Sequence, residues 1–99
     1  MFINFVNMCS GNVVEAVETP EKRFSCNILC EVEALSLHEI DIRKTDFAWM
    51  VKVVSKVGAD PKVHFIEREK AQAFYDVVRN AMTANDDFLT IDVLEHGAI

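Results

Sequence analysis

Between Phe47 and Thr83 the hydrophobic pattern changes its period once, from two to between three and four, and no other feature constrains the fold as much. Phe47, Trp49, Val51, Val53 and Val57 fall on one side of an extended chain, and Ala48, Met50, Lys52, Val54 and Lys56 on the other. Gly58-Ala59-Asp60-Pro61 supplies turn chemistry. Lys62 to Ile66 then returns with Val63 and Phe65 on the inner side. Immediately afterwards Ala71, Phe74, Tyr75, Val78, Ala81 and Met82 recur at spacings of three and four, while Gln72, Asp76, Arg79 and Asn80 take the opposite side. The pattern predicts a β-hairpin followed by one amphipathic helix over about 68–83, with Asn85 as a left-handed cap.

Around this centre, turn signals cut the chain into short β-prone pieces. Phe2 to Met8 is apolar, Ser10-Gly11-Asn12 turns, and Val13 to Val17 reads as a short strand. Thr19-Pro20-Glu21-Lys22 follows, with proline suited to a type I turn. From Phe24 to Ala34 the even positions Phe24, Cys26, Ile28, Cys30, Val32 and Ala34 are apolar, and Leu29 is the one apolar residue between them. The period of two makes a strand the preferred reading. A helix starting at Thr19-Pro20-Glu21, with Phe24, Ile28, Val32 and Leu35 on one face, is the alternative. Glu39 to Arg43 reads as another short strand, Lys44-Thr45-Asp46 as a turn, Phe88 to Leu94 as the last strand, and Glu95 to Ile99 as a loose tail. The expectation is a single α+β domain over 1–99: a mostly antiparallel meander of about six or seven strands, one helix on one face, and a final strand after it.

Composition narrows the function. The chain has 99 residues, 51% hydrophobic and 26% charged, enough for a packed core without staples. No run approaches the roughly 18 apolar residues a membrane helix needs. The first residues carry no basic region or small-residue cleavage site, and three cysteines make an odd count for a disulfide framework, so a cytoplasmic protein with free thiols is expected. The net charge of −6 is unevenly spread. Residues 1–42 carry −5, residues 43–70 carry +3 and residues 71–99 carry −4. An acidic chain disfavours binding to phosphate backbones or anionic lipid, so neither nucleic acid nor membrane is expected as a partner.

No catalytic or cofactor motif emerges. There is no CxxC, HExxH, GxGxxG or P-loop pattern. Cys26 and Cys30 lie about 13 Å apart on a strand, too far to share a zinc ion. They read as small buried hydrophobes, and Cys9 beside Ser10-Gly11 reads as a free structural thiol. The acidic pairs Glu31/Glu33, Glu39/Asp41 and Asp86/Asp87 suit a solvated sheet face or loop. No metal or other cofactor is expected.

One feature is unconventional. On the side of the hairpin away from the helix, Met50, Val54 and Ile66 stand among Lys52, Lys56, Lys62 and His64, more apolar than the solvent face of a sheet should be. Lys52 and Lys56 are expected to face Glu31 and Glu33 across neighbouring strands. The reading is a non-enzymatic interaction or regulatory module that contacts proteins through these seven residues, as a homodimer or with an unidentified protein partner. The alternative is a small-molecule site between curved sheet and helix near Trp49, Phe74 and Tyr75.

Overall fold

A computed structural model describes residues 1–10, 18, 19, 21, 24–43 and 46–99. Five strands and one helix are present among them: β1 (Phe2–Ser10), β2 (Phe24–Arg43), β3 (Asp46–Ser55), β4 (Lys62–Phe65), α1 (Arg68–Thr83) and β5 (Phe88–Asp92). The strands form one sheet in the order β4-β3-β2-β1-β5. β1 to β4 pair antiparallel in sequence, as a meander does. The helix then carries the chain from the β4 edge to the far edge, where β5 lies parallel to β1. The sheet is therefore mixed, and among the described residues it has five strands where six or seven mostly antiparallel ones were expected. The proposed strand Val13–Val17 lies outside the described residues.

The count falls because Phe24–Ala34 and Glu39–Arg43 are parts of one 20-residue strand. Cys30 and Val32 point into the core and Ile28 packs against it, as the even-numbered alternation requires. Beyond Val32 the inward positions become odd, with Leu35 and Leu37 against the core. The switch happens where the register steps from Val32↔Ser55 to Ala34↔Val54, so β2 gains one residue over β3. An inserted residue is a β-bulge, which bends the strand and flips its facing. In sequence a phase change looks like a strand end. Drawn straight, 20 residues would span about 66 Å at ~3.3 Å each, whereas the molecule is 39 Å in its longest dimension, so β2 is strongly bent. Its first half pairs with β1 and its second with β3.

A second bulge lies in β1. Phe5 pairs with Ile28 but Met8 with Cys26, and between them Asn7 takes a left-handed φ of 60°. The extra residue turns Met8 inward beside Ile3 and Phe5. Asn7 Nδ2 donates to Asp92 Oδ2 at 2.9 Å, while the other oxygen of Asp92 accepts from the backbone N–H groups of Leu94 and Glu95. One side chain thus joins the β1 bulge to the turn after β5.

The helix packs its expected stripe, Ala71, Phe74, Val78 and Ala81, on the sheet. Phe74 is fully buried, with ring centroids of Phe65 at 5.3 Å and Phe5 at 6.4 Å. Asn85 ends the helix at φ 57°. The N–H groups of Asn85 and Asp86 donate to the carbonyls of Met82 and Ala81 at 3.2 and 3.1 Å, a Schellman closure. The residues after β5 are ordered, contrary to the expected loose tail. Val93 and Ala98 are buried, His96 meets the edge of Phe74 at 5.7 Å, and the N–H of Ile99 donates to the carbonyl of His64. Gly97, at φ 86°, allows this return: a Cβ there would stand 2.5 Å from Lys70 Cδ. Apolar burial draws these residues in, a pull that their mixed composition hides.

Phe24 and Cys26 are exposed, although the alternation puts them on the core side. They lie near the start of β2, Phe24 beside Ser10 and Cys26 beside Met8, and facing inward brings burial only where something packs opposite.

Candidate functional site

The sheet has the helix on one face, and the other face can be read from the register. Across β2, β3 and β4, His38, Met50 and His64 form one row, and Ser36, Lys52 and Lys62 the next; Ala34 and Val54 form a third across β2 and β3. The hairpin therefore gathers Met50, Lys52, Val54, Lys62 and His64 on one face, as the alternation predicts. Lys62 and Ile66 are exposed, while Met50, Lys52, Val54 and His64 are half-buried. Ala48, on the same face by alternation, is fully buried, so the accessible part of this region begins at Met50.

Ion pairs hold two of the lysines. Lys56 Nζ lies 3.2 Å from Glu31, the cross-strand partner expected for it. Lys52 meets Asp60, at 3.8 Å, instead of an acid on β2. Asp60 sits in the β3–β4 connection and also accepts the backbone N–H of Ser55 at 2.9 Å, so the turn brings it back over β3. Lys62 has no ion pair among the described residues. His38 Nε2 is 2.8 Å from Ser36 Oγ on the same strand face.

The other half of this face extends the apolar surplus. Ile3, Phe5 and Ile91 point into the core, which turns Phe2, Asn4, Phe88 and Thr90 outward. Phe2 pairs with both Glu31 and Phe88, and Asn4 with both Leu29 and Thr90. Phe2, Leu29 and Phe88 are exposed at 43%, 60% and 54% on adjacent strands. Sequence reasoning found Leu29 and missed both phenylalanines. Phe88 was legible: Leu89, Ile91 and Val93 alternate with Phe88, Thr90 and Asp92. Phe2 was not, because the bulge at Asn7 breaks the alternation of its strand.

On the helix side, Trp49 is half-buried, with the Arg68 guanidinium 5.2 Å from its ring centroid. Tyr75 packs at the margin of the core and Phe74 at its centre, filled in by Phe5, Phe65 and His96. The clefts at the start of the helix, near Met82, and beside the β3–β4 connection are lined by residues other than Trp49, Phe74 and Tyr75. One of about 480 Å³ opens at the start of the helix between Arg68, Gln72 and Asp76. Another, of about 340 Å³, lies between β2 and the β3–β4 connection, lined by Leu29, Cys30, Ser55, Val57, Asp60 and Pro61.

The cysteines differ in their surroundings. Burial, and then the nearby Asp60 carboxylate, push the Cys30 thiol up, so it stays protonated at neutral pH and is a poor nucleophile. Cys26 is exposed, with Sγ 3.8 Å from the Met8 carbonyl, and Cys9 is half-buried. No three His, Cys, Asp or Glu side chains among the described residues are grouped to hold a metal ion. No described helix is long and apolar enough to cross a membrane. The fold is an α+β arrangement with a five-stranded mixed sheet, and its most distinctive surface is the sheet face opposite the helix. Compared with protein-family models, curated proteins and solved structures, the chain shows no match.

His64 gives this face a pH dependence. Burial, and then Lys62 beside it, lower its pKa below the ordinary 6.5. The unfolded chain therefore takes up a proton at His64 before the folded chain does. The contribution is neutral above about pH 6.5 and turns against folding as pH falls through that value toward the lower folded pKa. His64→Gln is expected to shrink the loss of Tm between pH 7.5 and pH 5.5, measured by circular dichroism. An unchanged loss would remove His64 as its cause.

Proposed function

We propose that this chain is a non-catalytic interaction module that self-associates as a homodimer and offers the outer face of its sheet to protein surfaces. The observation that carries the reading is the exposed apolar set Phe2, Leu29 and Phe88, standing on the same face as Met50, Val54, Lys52 and Lys62. Single exposed hydrophobes are ordinary, but adjacent large ones on three neighbouring strands form a patch of the sort that protein contacts cover. The lysines add a basic area to an acidic chain and so favour an acidic or neutral partner surface.

Sedimentation velocity over roughly 1–500 μM tests self-association. A concentration-dependent shift to twice the chain mass is expected. A monomer throughout that range overturns the homodimer.

A further inference from the structure

Three side chains able to ligate a metal stand in one row of the outer sheet face. His38 on β2 and His64 on β4 are both register partners of Met50 on β3. The N–H of Val53 donates to the Pro61 carbonyl at 2.9 Å, so odd-numbered residues of β3 turn their backbone bonds toward β4 and even-numbered ones toward β2. Met50 and His38 are therefore a hydrogen-bonded pair, with Cα atoms about 5.5 Å apart, and Met50 and His64 the closer kind of pair, at about 4.5 Å. The two histidines flank the thioether at similar distances. With metal–nitrogen bonds of about 2 Å, imidazoles leaning inward over Met50 can meet on one ion. Met50 and His64 are half-buried and His38 is exposed, so an ion can enter from solvent on the His38 side.

The surroundings select the ion. When His38 Nε2 carries the proton it donates to Ser36 Oγ, 2.8 Å away, and Nδ1 presents its lone pair. Ligating histidines are commonly held in this way through the other ring nitrogen. All three ligands are neutral, and the next row of the face holds Lys52 and Lys62. Lys52 meets Asp60 at 3.8 Å, while Lys62 has no ion pair among the described residues. Such a site repels a divalent cation twice as strongly as a monovalent one, because the Coulomb energy scales with the charge of the ion. Hard cations call for oxygen ligands, whereas a thioether with imidazoles suits a soft ion. Cuprous ion meets both conditions, being singly charged and soft.

We propose that His38, Met50 and His64 form a three-coordinate site for a cuprous ion, with the thioether between the two imidazoles and Ser36 holding His38 in place. The ligands come from three strands, so no spacing along the chain announces them, and the register of β2, β3 and β4 alone lines them up. All three belong to one copy of the chain, and the site does not depend on self-association. The exposed Cys26 thiol is a competing soft ligand, but it stands near the start of β2, beside Met8.

Nuclear magnetic resonance of the whole chain with labelled methionine methyl groups reads the site directly, with cuprous ion delivered from its bicinchoninate complex in the absence of oxygen. The Met50 methyl signal and the ring signals of His38 and His64 are expected to move together and to saturate together. Met8 reports copper held by Cys26 instead, since Cys26 Sγ lies 3.8 Å from the Met8 carbonyl. Competition with bicinchoninate gives the affinity, and circular dichroism shows that each variant is folded. Met50 and His64 lie outside the core cluster, so their replacement leaves the fold standing. Losing the partner behind a ligand costs about 10–100-fold in metal affinity, so Ser36→Ala should weaken copper binding about tenfold, and His64→Ala or Met50→Leu roughly 100-fold or more. Copper that moves Met8 and leaves Met50 and both histidines in place at every level overturns the site. Equal affinity in the wild-type chain, His64→Ala and Met50→Leu does the same. Zinc moving both histidines as strongly as copper does, with Met50 unmoved by either ion, overturns the soft three-ligand set.

Discussion

Replacing Phe74 with alanine is expected to cost the folded protein about 3–5 kcal/mol, the range for a large core aromatic cut back to a methyl. Phe74 is fully buried and in ring contact with β1 through Phe5, with β4 through Phe65 and with the C-terminal turn through His96. Three parts of the chain distant in sequence lean on one ring, so the space it leaves can close only if several elements move together. Small domains have on the order of 5–15 kcal/mol of stability in all, and the variant should be close to unfolding. Urea denaturation followed by circular dichroism would show a much lower midpoint with the slope preserved. Val77→Ala, one turn further on the exposed side of the same helix, should cost well under 1 kcal/mol by comparison. Similar losses for the two would mean that Phe74 is not the packing centre.

The second large effect is expected at Asn7, whose role nothing in its immediate sequence announces. Alanine there has to hold a φ of 60° that it accepts less readily than asparagine, and it loses the 2.9 Å bond to Asp92. The two losses together come to about 2–3 kcal/mol. Asn7→Gly separates them, since glycine takes the backbone angle freely and gives up only the side-chain contacts, for a cost of about 1 kcal/mol. Thermal unfolding of the three chains should rank them wild type, glycine, alanine. An alanine variant as stable as the glycine one would show that the backbone angle contributes nothing.

The outward set of residues was partly legible in the hairpin. Met50, Lys52, Val54, Lys62 and His64 share a face because alternation along two paired strands leaves no other arrangement, and the register confirms it. The partner of Lys52 could not be read in the same way. Asp60 reaches it because of the course of the turn, and alternation says nothing about turns. The point at which β3 begins to pair with β2, at Val32, was hidden for a related reason. Whether a strand has a neighbour depends on where the next strand begins to pair, and that is set by the bend in β2.

The sequence by itself determined the elements whose evidence is local: the helix from Arg68 to Thr83, its stripe of Ala71, Phe74, Val78 and Ala81, its left-handed close at Asn85, and the hairpin before it. Each of these depends on residues within a few positions of one another, and side-chain spacing and backbone preference report directly on them. The tertiary structure alone decided that residues 24–43 are one bent strand, that β5 lies parallel beside β1, and that the chain after Asp92 folds back over Phe74. Bulges, strand neighbours and the docking of a terminal segment are settled by which distant surfaces bury one another, and that balance is struck across the whole core.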